Sequence, residues 1–297
     1  MAEQKCGLIA ILGAPNAGKS TLVNKIIGNK ISIVSPKVQT TRGIVRGIYI
    51  QDDTQLILVD TAGIFKPSRR LDRAMVASAW TESHEADICL VLIDATKGID
   101  ANTTLILQNL KKAKQKAVLG INKIDHIKPN QLALLGAELG KMDLWQAIFY
   151  FSAKTGKGIS DLINYLVQNA PKAPWLFPED EITDMPDRLF AAEVTREKLF
   201  MNLQNELPYH LTVETTSFKE TDKSIRIEQN IIVSRTAHRM IVLGRNGQMI
   251  KKIGQQARIE LTKQLGKKVN LFLFVKVREN WTEDPNQYKP WGLDFNA

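Results

Sequence analysis

From the N-terminus to about residue 168, short runs of apolar and β-branched residues alternate with stretches whose apolar positions recur at helical spacing. The runs at 7–12, 44–50, 56–60, 88–94, 117–122 and 148–151 read as strands. Residues 71–83 and 104–114 read as amphipathic helices, and a further helix opens near Lys19. Such alternation predicts an α/β fold, a mostly parallel sheet with helices on both faces and its ligand at the C-terminal ends of the strands. Beyond residue 182 the order changes. A helix is expected over 187–206, strands over 211–218 and 225–234, a tight turn at Gly244, a helix over 248–265 and a strand over 269–277, an α+β arrangement. Between the two regions, Pro171, Pro174 and Pro178 deny the chain both helix and sheet ladder. The expected division is a first domain over 1–168, a linker over 169–182 and a second domain over 183–297.

At 44% apolar and 24% charged over 297 residues, the chain has enough core-forming material to exclude disorder as its main state. No apolar run is long enough to span a bilayer, and the strand-like segment from Gly7 follows the start without a signal-peptide pattern, so a cytoplasmic protein is expected. Cys6 and Cys89 lie inside apolar runs and read as core residues, and the four histidines show no metal-ligand spacing. Charge is unevenly spread. Between Lys219 and Arg278 there are 14 Lys or Arg against 4 Asp or Glu, so this one block is net +10 while the rest of the chain sums to about −1, and such a block suits a polyanion.

Gly13-Ala-Pro-Asn-Ala-Gly-Lys-Ser fits the pattern G-x-x-x-x-G-K-[ST] between a strand and a helix. Glycines there let backbone N–H groups curl around phosphate oxygens while the following helix points its positive end at the same anion. The phosphate-binding set is Gly13, Ala14, Pro15, Asn16, Ala17, Gly18, Lys19, Ser20 and Thr21. Lys19 brings a charge to the β- and γ-phosphates, and Ser20 a hydroxyl for magnesium. Asp60-Thr-Ala-Gly at a strand end offers a carboxylate to the same Mg2+ and, at Gly63, an N–H to the γ-phosphate. A threonine of the polar segment 36–42 can complete the metal shell; Thr41 is favoured over Thr40.

The base is chosen elsewhere. In Asn122-Lys-Ile-Asp, Asp125 can accept from both N1–H and the 2-amino group of guanine, donors that adenine lacks, while Asn122 braces the loop and the stem of Lys123 covers the purine face. Ser152, Ala153 and Lys154, again at a strand end, can present the Ala153 N–H to guanine O6. GTP and GDP are therefore the expected ligands. Ile64 follows Gly63 where Ras-like switches carry a water-orienting glutamine, so hydrolysis must be organised otherwise.

Together these strings resemble the TrmE–Era group of translation-factor-type P-loop GTPases over residues 1–168, with Ala62 where that group often has proline. The resemblance implies a slow GTPase in which Asn16 helps hold a K+ beside the phosphates in the place of an arginine finger; the alternative role for Asn16 is shaping the loop. In the second region, the Gly244-Arg-Asn-Gly loop ahead of a basic helix resembles a KH domain, with Arg245, Asn246, Lys251 and Lys252 as charge or polar contacts and Ile250 or Ile253 as a floor for bases. Phe272 and Phe274 read as residues of a core strand, which leaves base-edge reading rather than stacking as the expected mode. A GTPase followed by a KH domain resembles the branch of the group that assists small ribosomal subunit assembly. That implies binding near the 3′ end of small-subunit ribosomal RNA under nucleotide control, by a monomer. Competing expectations are a nucleotide-binding RNA scaffold without turnover and a regulator in weak peripheral contact with anionic membrane.

Overall fold

The computed structural model describes residues 4–297. By contact they form two compact units: one of residues up to Ser32, Thr41–Asp184 and Trp291–Ala297, the other of Ile33–Thr40 and Met185–Pro290.

The first unit is built on a six-stranded sheet. Its strands are β1 (Lys5–Gly13), β2 (Val45–Gln51), β3 (Thr54–Asp60), β4 (Ile88–Asp94), β5 (Ala117–Asn122) and β6 (Trp145–Phe151), in the order β2-β3-β1-β4-β5-β6. Only β2 runs antiparallel to its neighbour. Every residue of β3, β4 and β5 is buried, as a parallel strand covered on both faces requires. The helices are α1 (Lys19–Ile27), α2 (Arg70–Glu85), α3 (Ala101–Ala113), α4 (Pro129–Gly140) and α5 (Ile159–Asn169). Asp100 caps α3 by accepting from the Thr103 N–H at 2.7 Å, and Pro129 opens α4 with its ring at a position that needs no N–H donor.

The proline-rich segment, expected as a linker, lies along this sheet. Pro171 cannot donate but its carbonyl accepts from the Cys6 N–H at 3.1 Å, and the Ala173 N–H returns a bond to Gln4 O. Gln55, fully buried, satisfies the next turn of chain: its amide donates to Phe177 O and accepts from the Leu176 and Phe177 N–H groups. Residues 291–297 also pack here, with the Arg70 guanidinium 4.4 Å over the Phe295 ring.

The second unit contains α6 (Asp187–Asn202), β7 (Leu211–Glu220), β8 (Ser224–Val233), α7 (Thr236–Leu243), α8 (Gln248–Leu265) and β9 (Lys268–Val277). The sheet order is β7-β8-β9, with β8 parallel to β9 and therefore needing a crossover, which α7, the Gly244 loop and α8 supply. Leu211, Val213, Ile231, Val233 and Leu273 from one sheet face close a core with Leu199, Val242 and Ile253 from the helices. Helix α7 was not foreseen. At eight residues, ending in Met-Ile-Val-Leu, its sequence gives too few turns for the helical period to show.

Candidate functional site: a phosphate loop, a base-edge carboxylate and a basic GxxG turn

Strand β1 delivers the chain at Gly13 into a loop that α1 ends at Lys19. Gly18, the N-cap, has φ 102°, and a Cβ there would overlap the Asn122 amide, so this position needs both the conformation and the space that only glycine offers. Asn16 also takes positive φ, 64°. The Lys19 ammonium curls back over the loop, 3.2 Å from Gly13 O and 3.3 Å from Ala14 O. Burial lowers its pKa to about 8, against the opposing charge of Asp60.

Beside it, the Ser20 and Thr41 hydroxyls are 2.9 Å apart and Thr41 donates to Asp60 Oδ2 at 3.4 Å. Burial pushes the Asp60 carboxyl up, with the Lys19 charge and the surrounding hydroxyls pulling the other way. Asp60 Oδ1 is buried with no hydrogen-bond partner. An orphaned carboxylate oxygen next to two hydroxyls is an all-oxygen donor set, and it fits Mg2+. Thr40, the alternative, bonds instead to Lys37 O and Ser35. Gly63 lies against Pro15 of the loop. The next residue, Ile64, is fully buried in the sheet core, with its N–H on Gly13 O at 3.0 Å; it anchors the segment and has no access to water.

At the end of β5, Asn122 acts as a staple. Its amide donates to Ala17 O in the phosphate loop at 2.8 Å, and its carbonyl oxygen accepts from the Lys123 and Ala153 N–H groups at 2.8 and 2.9 Å. The Ala153 N–H expected to meet guanine O6 is thus already engaged, so O6 would have to share it. The Lys123 ammonium pairs with Asp94 Oδ2 at 2.7 Å, and Asp94 Oδ1 accepts from the Thr96 N–H and hydroxyl. Burial raises the Asp94 pKa, but these hydrogen bonds and the lysine charge outweigh it and hold the carboxyl below its usual range. Asp94 was missed in the sequence reading; a carboxylate at a strand end two residues before a threonine was its only signal. Asp125 keeps an accessible carboxylate with a lowered pKa, chiefly through a hydrogen bond from Ser152. Thr21 and Lys154 are also partly or fully accessible.

In the second unit the GxxG loop joins α7 to α8. Gly244 adopts φ 73° and ψ 174°, a region closed to other residues, and Asn246 and Gly247 also have positive φ. Arg245, Asn246, Lys251 and Lys252 are exposed around it. Two expectations need correction. Ile253 is fully buried in the core and Ile250 is only partly exposed; the accessible apolar side chains next to the loop are Met240 and Ile241 of α7, at 64% and 54% exposure. Phe272 and Phe274 are not core residues, because the strand's odd-numbered side chains fill the core and these point the other way.

Fold and site together define a P-loop GTPase carrying a KH domain. Residues 8–123 match the family model described as a 50S ribosome-binding GTPase, and residues 206–282 match the KH domain. The chain is 51% identical over 294 residues to GTPase Era of Brucella suis biovar 1, spanning 99% of this chain and 94% of that protein, and 50% identical over 292 residues to GTPase Era of Agrobacterium fabrum, spanning 98% and 92%. A crystal structure of an Aquifex aeolicus Era variant bound to GDP.AlF4- matches with a TM-score of 0.91 at 39% identity, covering 97% of this chain and 99% of that one. A second, of Era in complex with MgGDPNP and nucleotides 1506-1542 of 16S ribosomal RNA, matches with the same TM-score and coverage at 40% identity. The chain belongs to the Era family of GTPases.

Proposed function

We propose that this protein is a GTP-driven switch that binds single-stranded RNA near the 3′ end of small-subunit ribosomal RNA and assists assembly of the small subunit. The carrying observation is one continuous stretch of chain. Thr41 stands in the hydroxyl cluster with Ser20 and Asp60. One peptide bond away, the carbonyl of Thr40 accepts a hydrogen bond from Arg196 Nη2, and the Val34 N–H donates to Glu197 Oε1 at 2.9 Å. Helix α6 of the KH-bearing unit therefore holds both ends of the segment 33–40, whose next residue belongs to the nucleotide site. Arg196 is itself fixed by Glu193, and both are buried. Any nucleotide-dependent move of Thr41 must pull on this pair, which gives the two sites a shared two-state element.

GTP-bound protein is expected to bind the ribosomal 3′ segment more tightly than GDP-bound protein, measured by crosslinking and titration in each state. Arg196→Lys keeps a charge beside Glu193 but loses the fork that reaches Thr40. We expect the ratio of the two affinities to fall towards one in this variant; an unchanged ratio would remove α6 from the coupling route.

In this reading Lys19 and the loop N–H groups seat the phosphates, and Ser20, Thr41 and Asp60 hold Mg2+. The metal supplies charge neutralisation at the β- and γ-oxygens when bound. The orphaned Asp60 oxygen supports that assignment. Asp125 selects guanine, and Gly63 offers its N–H to the γ-phosphate. With Ile64 in the core, the side chain that follows Gly63 cannot orient water, and we assign the missing positive charge to K+ at Asn16. Hydrolysis should then run several-fold faster in potassium than in sodium or a bulky organic cation; equal rates would leave Asn16 as a loop-shaping residue, for which its positive φ suffices.

Among the described residues no helix is long and apolar enough to cross a membrane. We place the protein in the cytoplasm as a monomer. Its basic unit would make at most weak peripheral contact with anionic lipid. By function we divide the chain into a GTPase domain over 1–168, a linker over 169–182 and a KH-type domain over 183–297, although by contact 169–184 and 291–297 cluster with the first unit.

A further inference from the structure

Strand β9 is the edge of the KH sheet, and its even-numbered residues Lys268, Asn270, Phe272, Phe274 and Lys276 are all exposed on the face away from the helices. Phe272 and Phe274 are 40% and 51% exposed, neighbours on one side of the same strand. Two half-exposed phenylalanine rings on a sheet are costly to leave facing water, and edge strands normally carry charge rather than aromatics. The charge is present, but it surrounds the rings. The Arg226 guanidinium lies 4.4 Å over the Phe272 ring, held there by Glu228, and Lys219 is its cross-strand neighbour on β7.

We propose that this open face is a second RNA site, on which two unpaired bases stack on Phe272 and Phe274 while Arg226, Lys268 and Lys276 take the flanking phosphates. Aromatic rings on a sheet bracketed by cations accept any base by its π-face, and the cations track the backbone. A single strand is the fitting occupant because stacking needs unpaired bases and the surrounding charge is positive: four cations against Glu228, already paired with Arg226, and Glu214, already paired with Arg278. The position is continuous with the GxxG turn, since the other side of β9 packs on α8, the helix that this turn begins. A strand that leaves the loop has only to cross the sheet edge. The inference rests on the RNA-binding reading above and extends it from the loop to the sheet.

The test uses the full chain with GTP and two labelled RNAs: the 3′ segment of small-subunit ribosomal RNA, and its truncation to the roughly four nucleotides that a GxxG loop clamps. In Phe272→Leu and Phe274→Leu, which keep apolar bulk on an exposed face and so leave the fold intact, each lost ring should weaken the long RNA by about tenfold and leave the short RNA unchanged. Ultraviolet crosslinking of the long RNA, followed by mass spectrometry, should place adducts on the peptide containing Phe272 and Phe274. Equal affinities of wild type and variants for the long RNA, or an equal loss on both RNAs, would overturn the second site while leaving the GxxG reading intact. Failure of the wild type to bind either RNA would overturn both. A concentration-dependent dimer abolished by the same substitutions would assign the face to a second copy of the chain instead.

Discussion

Asp125→Asn will exchange guanine for xanthine as the preferred base. The carboxylate is an acceptor on both oxygens, and its lowered pKa keeps it so across the neutral range. Guanine meets it with two donors, N1–H and the 2-amino group. An asparagine presents one acceptor and one donor, so the 2-amino group faces an N–H and loses its bond, whereas the 2-oxo group of xanthine gains one. Sites that read a base edge by complementary hydrogen bonds discriminate by about 10^4 when a partner is missing. GTP affinity should fall by that order, with xanthosine triphosphate recovering most of the loss. Competition binding of GTP, ATP and xanthosine triphosphate to both proteins measures it directly. The rest of the pocket should tolerate the change. Asn122 stitches the phosphate loop to the Ala153 turn, and Lys123 is tied to Asp94, so neither brace passes through Asp125. If the variant binds neither nucleotide while keeping its fold, base choice lies in the Asn122 staple and not in the carboxylate.

The sheet of the first unit was legible because its strands are short, apolar and set off by turn residues, and β4, β5 and α8 end where the residue pattern ends. The site motifs were legible for a related reason. Each sits where a parallel strand stops, so chemistry and topology mark the same residue. What escaped depended on partners far along the chain. Nothing local marks Asp94 as the counter-charge of Lys123, or Arg196 as the residue that holds the Thr40 carbonyl. Residues 36–42 read as a polar loop between strands, yet Ile33–Thr40 cluster with a unit that resumes at Met185. In the proline-rich stretch, loss of donors excludes a central strand, but the Pro171 carbonyl still accepts from Cys6 of β1, and buried Gln55 satisfies Leu176 and Phe177 further on. For Phe272 and Phe274 the alternation holds, and what fails is reading the whole strand as core. Period two fixes which residues share a face, and it leaves open which face is covered.

Lys19→Ala separates an enzyme from a nucleotide-binding scaffold. The ammonium is buried with two loop carbonyls as partners, a cost that burial registers in its lowered pKa and that an incoming phosphate repays. Because negative charge accumulates on the phosphate oxygens during transfer, a fixed cation there stabilises the transition state more than the bound ground state. Removing one such group typically lowers turnover by about 10^2- to 10^3-fold. Single-turnover hydrolysis at saturating GTP should show that loss, and RNA binding by the KH unit should survive, since the hydrogen bonds of Lys19 go to its own loop. Lys19→Met serves as the control for packing: it keeps the stem that fills the space under Gly13 and removes only the charge. Both variants should lose hydrolysis alike. If Lys19→Met hydrolyses GTP at the wild-type rate, the lysine shapes the loop without acting on the phosphates, and the catalytic reading of this site fails.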